Sequence, residues 1–231
     1  MSSVQLFNAD CLSVLPTLAA GSVDAVVTDP PYSINTKSDG QGKINPWGDR
    51  VNAAFWYSEW IGRCRKLMLH RGCLWSFLNW RSLATFQKAA DDLGWPIESL
   101  LVWDKKWIGP GGMKGLRPSY ELVALWAGDD FSIEDRGLPD IQSFQWSSYK
   151  PNGHPAEKPL ELMEWIVSNS TKPGDTVLDP FMGSGTTGVA CARLGRNFIG
   201  IECDQNHYEA AQRRIADAQA QLILPLFGVT P

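Results

Sequence analysis

Short apolar runs bounded by turn residues alternate with amphipathic stretches along the whole chain, and few folds accommodate that rhythm. It is the pattern of a mostly parallel sheet with helices on both faces. Strands are predicted at Val4–Phe7, Ala25–Thr28, Cys73–Leu78, Ser99–Trp103, Leu122–Trp126, Thr176–Leu178 and Phe198–Ile201. Helices are predicted at Ala53–Met68, Ser82–Leu93, Lys158–Asn169, Gly185–Leu194 and Gln205–Gln221. Two polar stretches, Ser33–Arg50 and Gly128–Gly153, fit neither period. Loops of that length inside a compact domain are usually functional or disordered.

A chain of 231 residues with 44% hydrophobic content suits a single domain, 1–231, with a core of its own. No apolar run of about 18 residues occurs and the first ten residues lack the basic and apolar regions of a signal peptide, so a cytoplasmic protein is expected. The five cysteines form no C-x-x-C pair, which points to buried thiols rather than disulfides or a metal site. With a net charge of −4 the chain cannot coat nucleic acid by bulk electrostatics. Any such contact must be local.

Two segments carry chemistry. In the first, the apolar strand Val26-Val27-Thr28 runs straight into Asp29-Pro30-Pro31-Tyr32. The prolines stiffen the turn at the strand's carboxyl end, the edge at which open α/β sheets bind ligands. A fixed carboxylate, a backbone carbonyl and an aromatic face suit a planar group bearing an NH2: Asp29 and the Pro30 carbonyl accept its hydrogens while Tyr32 stacks on the ring. Asp and Pro also occur in ordinary turns.

The second segment, Thr176 to Thr187, reads strand, glycine-rich turn, helix start through Asp179, Pro180, Phe181, Met182, Gly183, Ser184, Gly185 and Thr186. The glycines let backbone approach a ligand, and helix N–H groups favour a carboxylate. Glu202 ends the next strand about twenty residues beyond Asp179, the spacing of an acid that binds ribose hydroxyls. A nucleoside site is expected. Gly188 completes the dinucleotide pattern G-x-G-x-x-G, so a nicotinamide cofactor stays in view, although Asp-Pro-Phe before the glycines counts against it.

Together the two segments resemble the amino-directed DNA methyltransferases, with their D/N/S-P-P-Y/F/W and D-P-F-x-G-S-G-T signatures. Asn8-Ala9-Asp10, Arg117-x-x-Tyr120-Glu121 and His154-Pro155-Ala156-Glu157-Lys158-Pro159 extend the likeness over nearly the whole chain. Because Asp29 precedes Asp179, the permuted beta group is indicated. The resemblance implies a Rossmann-like three-layer α/β sandwich around a mixed, mostly parallel seven-stranded sheet with its last strand antiparallel. It implies S-adenosyl-L-methionine as cofactor, held by Asp179 to Thr187 with Lys158 and Pro159 closing the site. Glu202 would take the ribose, and Asp10 with Cys11 would meet the adenine ring of the cofactor. The alternative readings are a helix cap for Asp10 and a helix-start charge for Lys158. Protein-glutamine and ribosomal RNA relatives usually place the cofactor motif first and carry Asn before the prolines. Cytosine C5 enzymes need a Pro-Cys pair that is absent here.

The implied activity is transfer of a methyl group to adenine N6 in double-stranded DNA, by in-line attack of a flipped base, without metal or covalent enzyme intermediate. Cytosine N4 is the nearest alternative, since its amine also presents two hydrogens; a DNA-binding protein without activity is the alternative of another class. Lys105, Lys106, Lys114 and Arg117 against Asp104 give a local balance of +3, suited to phosphate contact. Lys37, Lys43 and Arg50 form a second basic group. The family's target-recognition region would fall at 129–153, which is short and carries Asp129, Asp130, Glu134, Asp135 and Asp140. A short recognised word, or help from a second subunit in a homodimer, would fit. Whether a cognate restriction enzyme accompanies the chain is not legible.

Overall fold

The structure is a computed structural model that describes residues 2–31, 50–109, 114–146 and 157–223. In chain order the elements are β1 (Val4–Asn8), α1 (Cys11–Val14) with a 3-10 turn at Leu15–Thr17, β2 (Val23–Thr28), α2 (Arg50–Leu67), β3 (Met68–Leu78), α3 (Leu83–Asp92), β4 (Ser99–Asp104) and β5 (Tyr120–Ala127). They continue as β6 (Ile141–Ser143), α4 (Leu160–Ser170), β7 (Thr176–Asp179), α5 (Thr186–Leu194), β8 (Asn197–Glu202) and α6 (Gln205–Ile223). Every predicted strand and helix is present.

The strands form one eight-stranded sheet in the order β1-β8-β7-β2-β3-β5-β4-β6. All neighbours run parallel except at β5, which is antiparallel to both β3 and β4. The expected seven strands are therefore eight, and the antiparallel strand is fifth in chain order. The extra strand, β6, is three residues with two of them exposed, too short and too polar to show a period. It lies inside the stretch that resisted assignment.

Both faces of the sheet are covered, which is why its strands read as continuous apolar runs. Val26, Leu74, Leu78 and Trp126 turn to one face, against Tyr57, Trp60 and Ile61 of α2 and Phe86 of α3. Ala25, Val27, Trp75, Phe77 and Val123 turn to the other, against Leu162 and Ile166 of α4, Ala190 of α5 and Ile215 of α6. The result is a three-layer α/β/α sandwich. Among the described residues no helix is long and apolar enough to cross a membrane.

Candidate active site

Strand direction decides which residues meet. The carboxyl ends of β1, β2, β4, β7 and β8 lie along one edge and deliver Asp10, Asp29, Lys105, Asp179 and Glu202 there. Because β5 runs the other way, it presents its first residues, Tyr120 and Glu121, at that same edge, with Asp104 paired to Tyr120 and Trp103 to Glu121. A cavity of about 520 Å³ opens there, and Asp10, Asp29, Pro30, Lys158, Asp179 and Glu202 are among its lining residues.

The glycine-rich turn is held from three sides. Asp179, only 3% exposed, accepts hydrogen bonds from Thr28 Oγ1 (2.6 Å) and the Phe181 N–H (3.1 Å) at one oxygen and from Thr187 Oγ1 (2.6 Å) at the other. Burial pushes its carboxyl up to about 6, since desolvation outweighs those donors. The Thr28 bond spans 151 positions of sequence and fastens the strand before Asp29 to the strand before the glycines. Glu202 accepts from the Gly183 N–H (3.0 Å) and the Asp204 N–H (2.8 Å). Arg214 of α6 donates to the Ser184 carbonyl (2.7 Å) and hydroxyl (2.9 Å) and, through its other terminal nitrogen, to Glu157 (2.5 Å).

Gly185 caps α5 at φ 83°, a left-handed conformation that glycine adopts without a Cβ penalty. Gly188, the residue that completes the dinucleotide pattern, is explained by packing: a Cβ there would lie 2.8 Å from a ring carbon of Phe198 and 2.9 Å from Ile215 Cγ1. The third glycine lets α5 seat between β8 and α6.

On the other side of the cavity Asp29 pairs with Lys158 Nζ at 2.6 Å. The same ammonium lies 3.1 Å from Glu121, whose second oxygen is 2.5 Å from Lys105 Nζ. It also sits over the Phe77 ring, 5.0 Å from the centroid. Burial works against the Lys158 charge, but the Asp29 and Glu121 carboxylates more than offset it and hold the group above the ordinary lysine range. Burial likewise pushes Glu121 up, and Lys158 and Lys105 outweigh it, so the carboxyl stays below its usual value. The Tyr57 hydroxyl, from a ring stacked on Phe86 at 4.1 Å, donates to the Pro31 carbonyl at 3.0 Å and fixes the proline turn.

The sequence-predicted residues Asp29, Pro30, Pro31, Asp10, Lys158, Asp179, Phe181, Gly183, Ser184, Thr186, Thr187 and Glu202 all line this cavity. Tyr32 and His154 lie outside the described residues, as do Lys37 and Lys43. Pro180 and Gly185 are absent from the lining and shape the turn from behind. Cys11 turns into the core (4% exposed), its thiol pushed up to about 12 by burial and the neighbouring Asp10, and Cys203 lines the cavity in its stead. Asp10 is also a helix cap, accepting from the Leu12 N–H at 2.8 Å. Sequence reasoning missed Trp56, His207 and Met163 in the lining, and Arg214 and Glu121 behind it. Trp56 and Trp60 pack on Phe181 with centroids 5.3 and 5.4 Å apart, a contact between distant segments that no local spacing announces.

The basic loop is only partly available to a partner. Lys105 is turned inward on Glu121, and Arg117 donates to the carbonyls of Gly109 (2.9 Å) and Ile108 (3.2 Å). Lys106 reaches Asp104 at 2.8 Å while 56% exposed, and Lys114 is exposed. Beside them Leu116 is fully exposed, and Trp107 stacks on Trp146 at 4.1 Å. The acidic residues after β5 are elsewhere. The Asp130 N–H donates to His70 O and the Gly128 N–H to Gly72 O, which places this segment at the opposite edge of the sheet. An eight-residue strand separates it from Tyr120, ~24 Å at strand rise.

A sheet whose acid-ended strands surround a glycine turn, with a proline-stiffened carboxylate across the same cavity, defines a nucleoside-cofactor α/β enzyme. Residues 23–213 match the DNA methylase family of N6 and N4 methyltransferases, and the chain belongs to that family. It is a DNA methyltransferase. The type II methyltransferase M2.MboI of Moraxella bovis is 28% identical over 238 residues, covering 90% of this chain and 86% of the relative. The crystal structure of the M1.HpyAVI complex with S-adenosylmethionine superposes with a TM-score of 0.72 at 28% identity, covering 92% of this chain and 98% of that one. The cytosine-N4-specific PvuII DNA methyltransferase shares the fold, with a TM-score of 0.74 at 17% identity, covering 96% and 93%.

Proposed function

We propose that this chain transfers a methyl group from S-adenosylmethionine to adenine N6 of double-stranded DNA. The observation that carries the reading is that Asp29 and Pro30 share one cavity with Asp179, Gly183 and Glu202. That cavity suits the cofactor, since carboxylates from three strand ends and the backbone of Gly183 all line it. When bound, the cofactor supplies a methyl group on a sulfonium. Glu202, at the end of β8, takes the ribose, and Asp10 bounds the site beside it.

An aromatic amine is a poor nucleophile because its lone pair is delocalised into the ring. Asp29 accepts one amine hydrogen and the Pro30 carbonyl the other, which favours a pyramidal nitrogen and stabilises positive charge as the N–C bond forms and the C–S bond breaks. Asp29, already the acceptor of an amine hydrogen, takes the proton that the nitrogen then sheds. Tyr32, two residues beyond Pro30, is proposed to stack on the flipped base. Lys106 and Lys114 supply phosphate contacts, and Leu116 and the Trp107–Trp146 pair add apolar surface.

Cytosine N4 is the second reading, favoured by the fold shared with the PvuII enzyme. Aspartate rather than serine before the prolines supports adenine. Digesting DNA methylated by the purified protein and separating the nucleosides decides the matter: N6-methyladenine is expected, and N4-methylcytosine alone would overturn the assignment. Glu202→Ala is expected to weaken cofactor binding by about 1.5–3 kcal/mol, the scale of hydrogen bonds to a charged group. Calorimetry measures it, and an unchanged dissociation constant would confine Glu202 to holding Gly183 and Asp204.

A further inference from the structure

We propose that Lys158 is a positioning residue for Asp29, fixed in turn by Glu121 and Lys105, rather than a ligand of the cofactor; the inference rests on the amino-methyl-transfer reading above. Four side chains of alternating sign, Asp29, Lys158, Glu121 and Lys105, run in contact from the proline turn to the end of β4, with separations of 2.6, 3.1 and 2.5 Å. None is more than 27% exposed, and Lys158 is 10% exposed. Its ammonium is engaged by two carboxylates and by the face of Phe77. A sulfonium cofactor repels a free ammonium in its own cavity, whereas one bound between two carboxylates is neutralised.

The groups facing Asp29 explain what Lys158 is for. Asp179 stands at the end of the adjacent strand, its carboxyl raised in part by Asp29, and Glu121 lies across Lys158 with Lys105 behind it. Asp29 thus stands among other carboxyls at this edge, which repel it, and Lys158 is a cation in contact with it. The Lys158 nitrogen, itself fixed by Glu121 and the Phe77 ring, therefore sets where the Asp29 carboxylate stands and which way it points.

The test compares Lys158→Met and Lys158→Arg with wild type in single-turnover transfer to DNA at saturating cofactor, with cofactor affinity measured by calorimetry. Lys158→Met is expected to slow transfer by roughly 10- to 100-fold, the cost of a misplaced catalytic group. Lys158→Arg should recover most of that loss, and in both variants cofactor affinity should stay within about threefold of wild type, too small a change for a lost charged contact. In an Asp29→Asn background Lys158→Met should cost much less than in wild type, because the carboxylate it positions is gone. An unchanged rate in Lys158→Met, or the full loss repeated in the Asp29→Asn background, overturns the inference, and a weakened cofactor affinity assigns Lys158 to the cofactor. If Lys158→Met does not fold, Glu121→Gln alone serves. Slower transfer at unchanged cofactor affinity supports the network, and an unchanged rate overturns it. Wild-type protein that methylates no DNA overturns the underlying reading, a result distinct from both.

Discussion

Asp29→Asn lowers single-turnover methyl transfer by about 100-fold or more while the fold and cofactor affinity stay near wild type. The substitution keeps the shape of the residue, an acceptor oxygen and compatibility with the turn. What it removes is charge, at the point where the amine becomes cationic. Its structural cost is small because Lys158 retains Glu121 at 3.1 Å. Transfer and cofactor affinity measured on the same preparation separate the two roles: near-normal transfer would reduce Asp29 to a turn residue, and a large loss of affinity would show the cavity itself disturbed.

A large loss of stability is expected from Gly185→Ala, because two independent penalties meet at one atom. The backbone there has φ 83°, which costs an L side chain roughly 1–2 kcal/mol. A Cβ would also lie 2.9 Å from the Ala211 Cα and 2.8 Å from its Cβ, so the backbone of α6 must retreat. Overpacking of that kind typically costs about 1–3 kcal/mol, and the sum, ~2–5 kcal/mol, is a large share of a typical folding free energy. Gly174→Ala is the matched control: its φ is 91°, yet nothing lies within 4 Å of the added atom. Urea unfolding of both variants should show Gly185→Ala losing clearly more. Equal losses would mean that α6 yields without cost and that backbone conformation accounts for both.

Most of the sheet was legible because its strands are buried on both faces and read as apolar runs such as Ala25–Thr28 and Phe198–Ile201. What escaped was short or polar. The single-turn α1 and the three-residue β6 carry no measurable period, and the first residues of β3 are exposed or half-exposed like the loop expected there. The cofactor lobe was legible for a different reason: Asp179 to Thr187 is one continuous segment whose backbone conformation demands glycine. Glu121, Arg214 and Trp56 were not assigned a role because their meaning arises only when β5, α6 and α2 are folded against that segment. The loop of Lys105 to Arg117 looked uniformly basic, yet one of its cations is spent on Glu121 and another on backbone carbonyls. Charge counting along a chain cannot see such internal pairing.

The reversed direction of β5 has a mechanical side. Asp29 stands one residue past the last paired position of β2, on a turn whose prolines donate no ladder bonds. Glu121 stands inside a ladder, paired with Trp103 one step from the Leu78–Leu122 pair of the sheet's interior. The carboxylate outside the ladder is thus the one that lines the cavity, and the one inside the ladder is set back behind it. A single ammonium, 2.6 Å from one and 3.1 Å from the other, moors the first to the second and adds the sheet's rigidity to that of the prolines.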